Sequence, residues 1–138
     1  MEDRMSLIVY SGTVDKLMAV ATIATGAAAM GMEVDIFLTF WGLEAFRKGA
    51  AATNTRISAD FADYAPAVME AMAAKKVPNW LDTLKGAKEI GNVKVQACSM
   101  TMELFGHTLA DKEDIVEDVT GVASFVEMAR EGQITLFI

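Results

Sequence analysis

Short apolar runs recur along the chain with the length and composition of buried strands. They are rich in β-branched or aromatic residues and are bounded by turn-forming residues. We interpret five of them as strands: Met5 to Tyr10, Glu33 to Thr39, Val93 to Ala97, Val116 to Val119 and Gln133 to Ile138. The fourth run is the weakest, because Glu117 and Asp118 interrupt it.

Segments with helical periodicity or helix-end signals alternate with these runs. The first extends from about Val14 to Met30, with Thr13 or Ser11 as its expected N-cap and Gly31 as its expected C-cap. Further helices are predicted at Gly42 to Lys48, Pro66 to Lys75, Asn79 to Ile90, Ser99 to Phe105 and Gly121 to Arg130, with a helical or turn segment at Asp111 to Asp114.

This alternation predicts an α/β fold, a single layered domain over residues 1–138. The expected sheet has about five mostly parallel strands flanked by helices. Residues 49–78 are the least regular part of the chain, and we expect a lid, an interface element or a flexible loop there.

Composition and charge exclude several classes of protein. The chain has 138 residues and is 53% hydrophobic, enough for one core without staples. Its net charge of −7, without a basic cluster, argues against nonspecific binding to nucleic acid or anionic membranes. The uncharged stretch Leu17 to Met32 is shorter than the ~20 residues of a membrane span, so we interpret it as a buried helix.

Cys98 is the only cysteine, and it follows the third predicted strand directly. Reactive groups collect beyond the carboxyl ends of strands in open α/β sheets, and helix-start amides lower a thiol pKa from about 8.5. A lone thiol is equally often a small buried hydrophobe, so position alone leaves both interpretations open. Without a second cysteine, any exchange must involve another molecule or subunit. The lone thiol and the absence of a secretory signal indicate the reducing cytoplasm.

Other candidate residues follow the first two predicted strands. Ser11 and Gly12 either hold an anion at a helix start or form a tight turn that lines the site. Trp41, with Phe40 beside it, is either a pocket wall or an edge aromatic of the core. Neither a P-loop nor a GxGxxG motif is present, so no nucleotide cofactor is predicted.

His107, the only histidine, and the acidic residues complete the candidates. The predicted helix between Cys98 and His107 spans about two turns, roughly 10 Å, which argues against their direct pairing. His107 is then a proton donor or an interface residue, if it has a role. One Cys and one His fall short of the usual four metal ligands, so no metal is predicted. Glu44 and Glu103 are either pocket carboxylates or solvated side chains.

Three segments together resemble a known family, the DsrE/DsrF-like proteins of sulfur trafficking. They are Leu7 to Lys16, Glu33 to Leu43 and, most specifically, Val93 to Gly106. The likeness is closest to the soluble form of the archaeal and bacterial branch sometimes labelled peroxiredoxin-like, and it covers nearly the whole chain. Thr101 and Glu103 stand where the family more often has Ser and Asp.

The resemblance implies that Cys98 accepts a sulfane sulfur or thiosulfonate group and passes it to an acceptor thiol. Ser99, Met100 and the adjoining backbone are then expected to bind the anion, and Ser11, Gly12 and Trp41 to line the site. The implied partners are a TusA-like carrier, small inorganic sulfur species and further copies of the chain in a trimer, tetramer or hexamer.

Two rival functions remain. One is a noncatalytic oligomeric binding or thiol-sensor protein of the same fold. The other is a peroxide-reducing enzyme. This sequence lacks the activating Arg or Thr motif and the resolving cysteine that such an enzyme is expected to have.

Overall fold

The chain forms one five-stranded sheet in a computed structural model, which describes residues 2–138. The strands are β1 (Glu2–Val9), β2 (Glu33–Leu38), β3 (Val93–Cys98), β4 (Val116–Thr120) and β5 (Gly132–Phe137). All pairs are parallel, in the order β4-β3-β2-β1-β5. The predicted α/β class and five-stranded parallel sheet are confirmed. β1 begins three residues earlier than predicted, since backbone pairing of Glu2 with Gly132 extends it through polar residues.

Seven α-helices connect the strands within the described residues. They are α1 (Val14–Ala29), α2 (Phe40–Glu44), α3 (Ala50–Thr53), α4 (Ala65–Ala74), α5 (Trp80–Ile90), α6 (Ser99–Phe105) and α7 (Val122–Ala129). Short 3₁₀ turns cover Ala59–Tyr64 and Leu109–Asp111. The helix predicted at Gly42 to Lys48 was misplaced, because the chain turns immediately after β2, with Phe40 at a φ of +48°.

The helix ends follow the sequence signals in part. Gly31 has a φ of +83°, and the Asn79 side chain accepts a hydrogen bond of 2.9 Å from the Leu81 amide, as predicted. Thr13 occupies the N-cap position of α1, but its hydroxyl makes no capping bond and lies 3.2 Å from Ser11 Oγ. The hydroxyl cap predicted for this helix was therefore wrong.

The two faces of the sheet are covered differently. The larger core lies against α1 and α5 and contains Leu7, Val9, Ile36, Leu38, Val95 and Ala97. Because successive strand side chains point to opposite faces, Phe37 and Cys98 lie on the other face. There they pack with Phe125 and Ala129 of α7.

The stretch Leu17 to Met32 forms most of α1 and the turn after it. Leu17, Val20, Ala21 and Ala24 are at most 1% exposed, in the core against the sheet. Within residues 2–138, no helix combines the length and the apolar run that crossing a bilayer requires.

Candidate functional site

The thiol of Cys98 lies at the carboxyl edge of the sheet, where β3 passes directly into α6. Cys98 is itself the last residue of β3 and the N-cap residue of α6. The residue is only 3% exposed and belongs to the small cluster beneath α7. The predicted strand-to-helix position is confirmed, and the thiol is more covered than an open site at the sheet edge would leave it.

Hydrogen-bond donors converge on the Cys98 sulfur from two directions. The Thr101 hydroxyl and amide and the Met100 amide approach from α6, and the Thr39 hydroxyl approaches from the end of β2. Burial raises the pKa of the Cys98 thiol, but these donors outweigh it by stabilising the thiolate, so the pKa lies below its ordinary value. The site therefore favours the nucleophilic form of sulfur.

Thr101 connects the thiol to the neighbouring strand. Its side chain is fully buried, and its Oγ1 lies 3.1 Å from Thr39 Oγ1. The Phe40 amide donates to the same Thr101 oxygen at 3.2 Å, which fixes this hydroxyl between the end of β2 and the thiol. Phe40 adopts the left-handed region to do so, at a φ of +48°. Such backbone strain in a bulky residue persists only where the surroundings enforce it.

Sequence reasoning did not identify Thr101 and Thr39 as site residues. The sequence marked Thr101 only as a residue that stands where the family more often has Ser. Its position three residues after Cys98 was the available signal, because residues three apart at the start of a helix lie on the same side. Thr39 follows Leu38, which pairs with Ala97 in the parallel ladder. The adjacency of β2 and β3 places Thr39 beside Cys98, and the linear sequence alone does not reveal it.

Of the two residues expected to bind the anion, Met100 is the one whose amide reaches the sulfur. Ser99 and Met100 both have exposed side chains. Within residues 2–138, no hydrogen bond joins Ser99 to the thiol. The role of Ser99 stays a prediction.

Three other predicted residues come together in a separate cavity of about 570 Å³. We call it the Trp41 cavity. Its lining includes Ser11, Gly12, Trp41, Glu44, Arg47 and Arg56. Residues 50–56, part of the irregular segment, form one wall. The Asn54 side chain ties that wall to the Gly12 carbonyl at 2.9 Å, and the Val14 amide donates to the Arg56 carbonyl at 2.7 Å.

His107 pairs with a buried lysine. Its Nδ1 lies 2.8 Å from Lys112 Nζ and 3.7 Å from Glu44 Oε2. Lys112 is 1% exposed, and burial lowers its pKa despite the opposing charge of Glu44. The structure thus gives His107 polar partners other than Cys98. Glu44 lines the Trp41 cavity, whereas Glu103 is exposed.

A continuous series of aromatic rings covers the carboxyl edge of the sheet. Tyr10 stacks on Phe40 and Phe137, with ring centroids 5.5 and 5.8 Å apart. Phe105 lies 6.0 Å from Phe40 and 5.9 Å from Trp41. Trp41 and Phe137 are 54% and 69% exposed, so this edge presents apolar surface to its surroundings.

Fold and site together define a class of protein: a parallel α/β fold with a single buried cysteine at the end of an inner strand. Residues 1–137 match the DsrE/DsrF/DrsH-like family, and the chain belongs to that family. The predicted family is confirmed.

Two relatives align over the full length. YrkE of Bacillus subtilis (strain 168) is 35% identical, with 98% of this chain and 96% of the relative covered. A protein of Allochromatium vinosum named sulfur carrier protein DsrE2 is 28% identical, with 99% of each chain covered.

Two solved structures share the fold. MTH1491 of Methanobacterium thermoautotrophicum aligns with a TM-score of 0.60 and 16% identity, covering 98% of each chain. BT1422 of Bacteroides thetaiotaomicron aligns with a TM-score of 0.61 and 12% identity, covering 99% of this chain and 95% of its own. Both are described as proteins of unknown function, so these likenesses concern the fold alone.

Proposed function

We propose that this protein is a sulfur carrier that holds a sulfane sulfur or thiosulfonate group on Cys98. The proposal rests on the surroundings of the only thiol of the chain, where two threonine hydroxyls and two backbone amides act together to lower its pKa. A purely structural buried cysteine needs no such donors, whereas a nucleophilic thiolate does. The name of the Allochromatium relative supports the same class of function.

The transfer chemistry needs no cofactor. In loading, the Cys98 thiolate attacks the sulfane sulfur of a donor. One S–S bond forms at Cys98 while the donor's bond to that sulfur breaks. The remainder of the donor leaves with the electron pair, as a thiolate from an organic donor, as sulfide or a shorter polysulfide from polysulfide, and as thiosulfate from tetrathionate. Discharge repeats the step in the other direction, with the thiolate of an acceptor attacking the outer sulfur of the Cys98 persulfide.

The burial of Cys98 sets the kinetics of this exchange. With the residue 3% exposed, a partner reaches the sulfur only after a local opening at the edge of the sheet. Ser99 and Met100 directly follow Cys98 and are exposed, so this edge is where we expect the opening. A carrier gains from such cover, since it protects a bound persulfide from stray thiols.

The proposed setting is the reducing cytoplasm, with a TusA-like carrier protein as partner and small inorganic sulfur species as sources. We further propose a homo-oligomer. The exposed aromatic edge around Trp41 and Phe137 supports an interaction surface beside the thiol, because monomers rarely leave large apolar patches uncovered.

The test is to incubate the protein with polysulfide, tetrathionate or peroxide and to measure intact mass. We expect sulfur-sized increments that disappear in Cys98→Ser and that pass to a TusA-like carrier on mixing. Oxygen-only increments would support a peroxide-reducing enzyme instead.

A noncatalytic binding or sensor protein is the second candidate, favoured by the 3% exposure of Cys98. The absence of any adduct, with a folded protein, would support it.

A further inference from the structure

The Trp41 cavity lies close to the thiol but does not include it. Thr39, which follows the β2 residue paired with Ala97 and so lies beside Cys98, precedes Trp41 by two residues, a span of at most about 7 Å of chain. The Trp41 ring stacks at 5.9 Å on Phe105, in the helix that begins immediately after Cys98. Trp41, in the wall of the cavity, is therefore joined both along the chain and by ring stacking to the elements that surround the sulfur.

The charges of the cavity favour an anion. Its lining contains two arginines and one glutamate, a net charge of +1 in a protein whose net charge is −7. Glu44 is already engaged, with its Oε1 3.2 Å from Arg47 Nη1 and its Oε2 3.7 Å from His107 Nδ1. The Arg56 guanidinium has no ion-pair partner within residues 2–138.

The backbone at the start of α1 does not supply this preference. The Val14 amide donates to the Arg56 carbonyl, and the Asp15 carboxylate accepts bonds from Lys16 and Ser58. A ligand is therefore bound by side chains, above all by the planar guanidinium fork of Arg56 with its two parallel N–H donors. A guanidinium binds a carboxylate through two parallel hydrogen bonds.

Size and apolar lining favour an organic molecule over an inorganic ion. The volume of about 570 Å³ lies within the ~300–1,000 Å³ of pockets that hold small organic ligands. The Trp41 ring, Ala45 and Ala50 provide apolar surface for a carbon skeleton, and the Ser11 and Thr13 hydroxyls provide polar contacts.

We propose that the Trp41 cavity binds the carboxylate-bearing end of a small organic persulfide, which loads Cys98. This inference rests on the proposed function of Cys98. The thiolate attacks the terminal sulfur of the R–S–SH donor; a new S–S bond forms at Cys98 and the S–S bond of the donor breaks. R–S⁻ leaves and the proton stays on the new persulfide, so no oxidant or reductant is needed.

The test compares two donors on the same thiol. Loading rates of Cys98 are measured by intact mass with glutathione persulfide, which carries carboxylates, and with inorganic disulfide, which carries none. We expect Arg56→Ala to slow loading from glutathione persulfide about tenfold or more, the factor that a lost charge-assisted hydrogen bond carries, and to leave loading from inorganic disulfide unchanged. Arg56→Lys keeps the charge but loses the fork, and we expect an intermediate rate.

Controls separate binding from thiol chemistry. Arg130 is exposed and lies outside the cavity, and within residues 2–138 its one ion-pair partner is the neighbouring Glu131. Arg130→Ala should therefore leave both rates unchanged. Equal slowing of both donors by Arg56→Ala, or no slowing of either, would overturn the proposal.

A binding measurement keeps the two proposals distinguishable. Calorimetry with S-methylglutathione and the Cys98→Ser variant reports on the cavity without any sulfur transfer. Binding that weakens in Arg56→Ala supports the cavity even if no donor loads Cys98, an outcome that would refute only the sulfur-carrier function. No binding to Cys98→Ser would refute the cavity assignment.

Discussion

At the scale of single residues, the Thr101 side chain is the largest of the contributions that lower the pKa of Cys98. Its hydroxyl is oriented by the Phe40 amide and is buried beside the sulfur, where a hydrogen bond to a charged group is stronger than in water. Removing that hydroxyl leaves burial, which raises the pKa, less opposed.

We expect Thr101→Val to raise the pKa of Cys98, since it removes a hydroxyl that stabilises the thiolate and leaves burial less opposed. The check is the rate of iodoacetamide alkylation against pH, whose midpoint should move upward. Thr101→Ser keeps a hydroxyl and should leave the midpoint close to that of the wild type, and Thr22→Val, at an exposed threonine of α1, should leave it unchanged. An unchanged midpoint in Thr101→Val would show that the Thr39 hydroxyl and the backbone amides suffice to stabilise the thiolate.

A second residue-scale feature is the ion pair between Arg4 and Asp35 on the α7 side of the sheet. Asp35 is 4% exposed, and burial raises its pKa although the Arg4 hydrogen bond and charge act in the opposite direction. Arg4 also contacts Glu2 and Glu33 at 2.9 and 2.7 Å. Arg4 is thus the cation that makes a buried carboxylate tolerable.

We expect Arg4→Ala to lower the free energy of unfolding by about 3–5 kcal/mol at neutral pH, since it leaves Asp35 buried without a counter-charge. A carboxyl whose folded pKa lies above its unfolded value stabilises the fold at low pH and loses that contribution as pH rises through the folded pKa. The defect should therefore shrink in acid. Urea unfolding at several pH values measures it, with Arg130→Ala expected within ±0.5 kcal/mol as the control.

At the scale of elements, close backbone contact holds the turn after β1 against α2. The Gly42 amide donates to the Tyr10 carbonyl at 2.9 Å, and a Cβ at Gly12 would overlap the carbonyl oxygen of Trp41. This contact places Ser11 and Gly12 beside Trp41 in one cavity.

Gly12→Ala should therefore destabilise the fold by about 1–3 kcal/mol, the usual cost of overpacking. Gly26→Ala is the matched control, because Gly26 is exposed within α1 and a Cβ there has nothing within 4 Å. We expect it to stabilise the fold by about 0.5–1 kcal/mol, since alanine is the better helix former. Thermal unfolding of both variants tests the pair; equal effects would contradict the contact argument.

At the scale of the whole molecule, one group of exposed apolar side chains lies at the carboxyl edge of the sheet and on β5. Phe137 is 69% exposed on an edge strand, next to Tyr10. Exposed edge strands and aromatic patches are usually covered by a partner.

We expect the protein to sediment as an oligomer and Phe137→Glu to weaken association about tenfold or more, as buried aromatic anchors carry much of an interface's free energy. Ile90→Glu is the control. It is 61% exposed at the end of α5, remote from the aromatic edge, and should leave the sedimentation coefficient unchanged. A wild-type protein that stays monomeric at high concentration would contradict the expectation.

The sequence predicted the strands and most of the helices that form, but it did not predict several of their boundaries. The runs at β2 and β3 carry their apolar pattern in the side chains, which is why their residues were identified almost completely. The polar start of β1 and the early start of α2 depend on backbone pairing and on the strained turn at Phe40, neither of which leaves a composition signal.

The sequence by itself determined the α/β alternation, the family and the single thiol at the end of β3. These are local properties, since hydrophobic periodicity and a residue's place after a strand are encoded in consecutive positions. Only the tertiary structure decided which groups surround that thiol. Thr39 and Thr101 are 62 positions apart in the sequence, yet their hydroxyl oxygens lie 3.1 Å apart. Trp41 shares a cavity with Arg56 because separate segments fold over the start of α1. Contacts between distant segments follow from the pairing of strands and the packing of helices, which no stretch of neighbouring residues specifies.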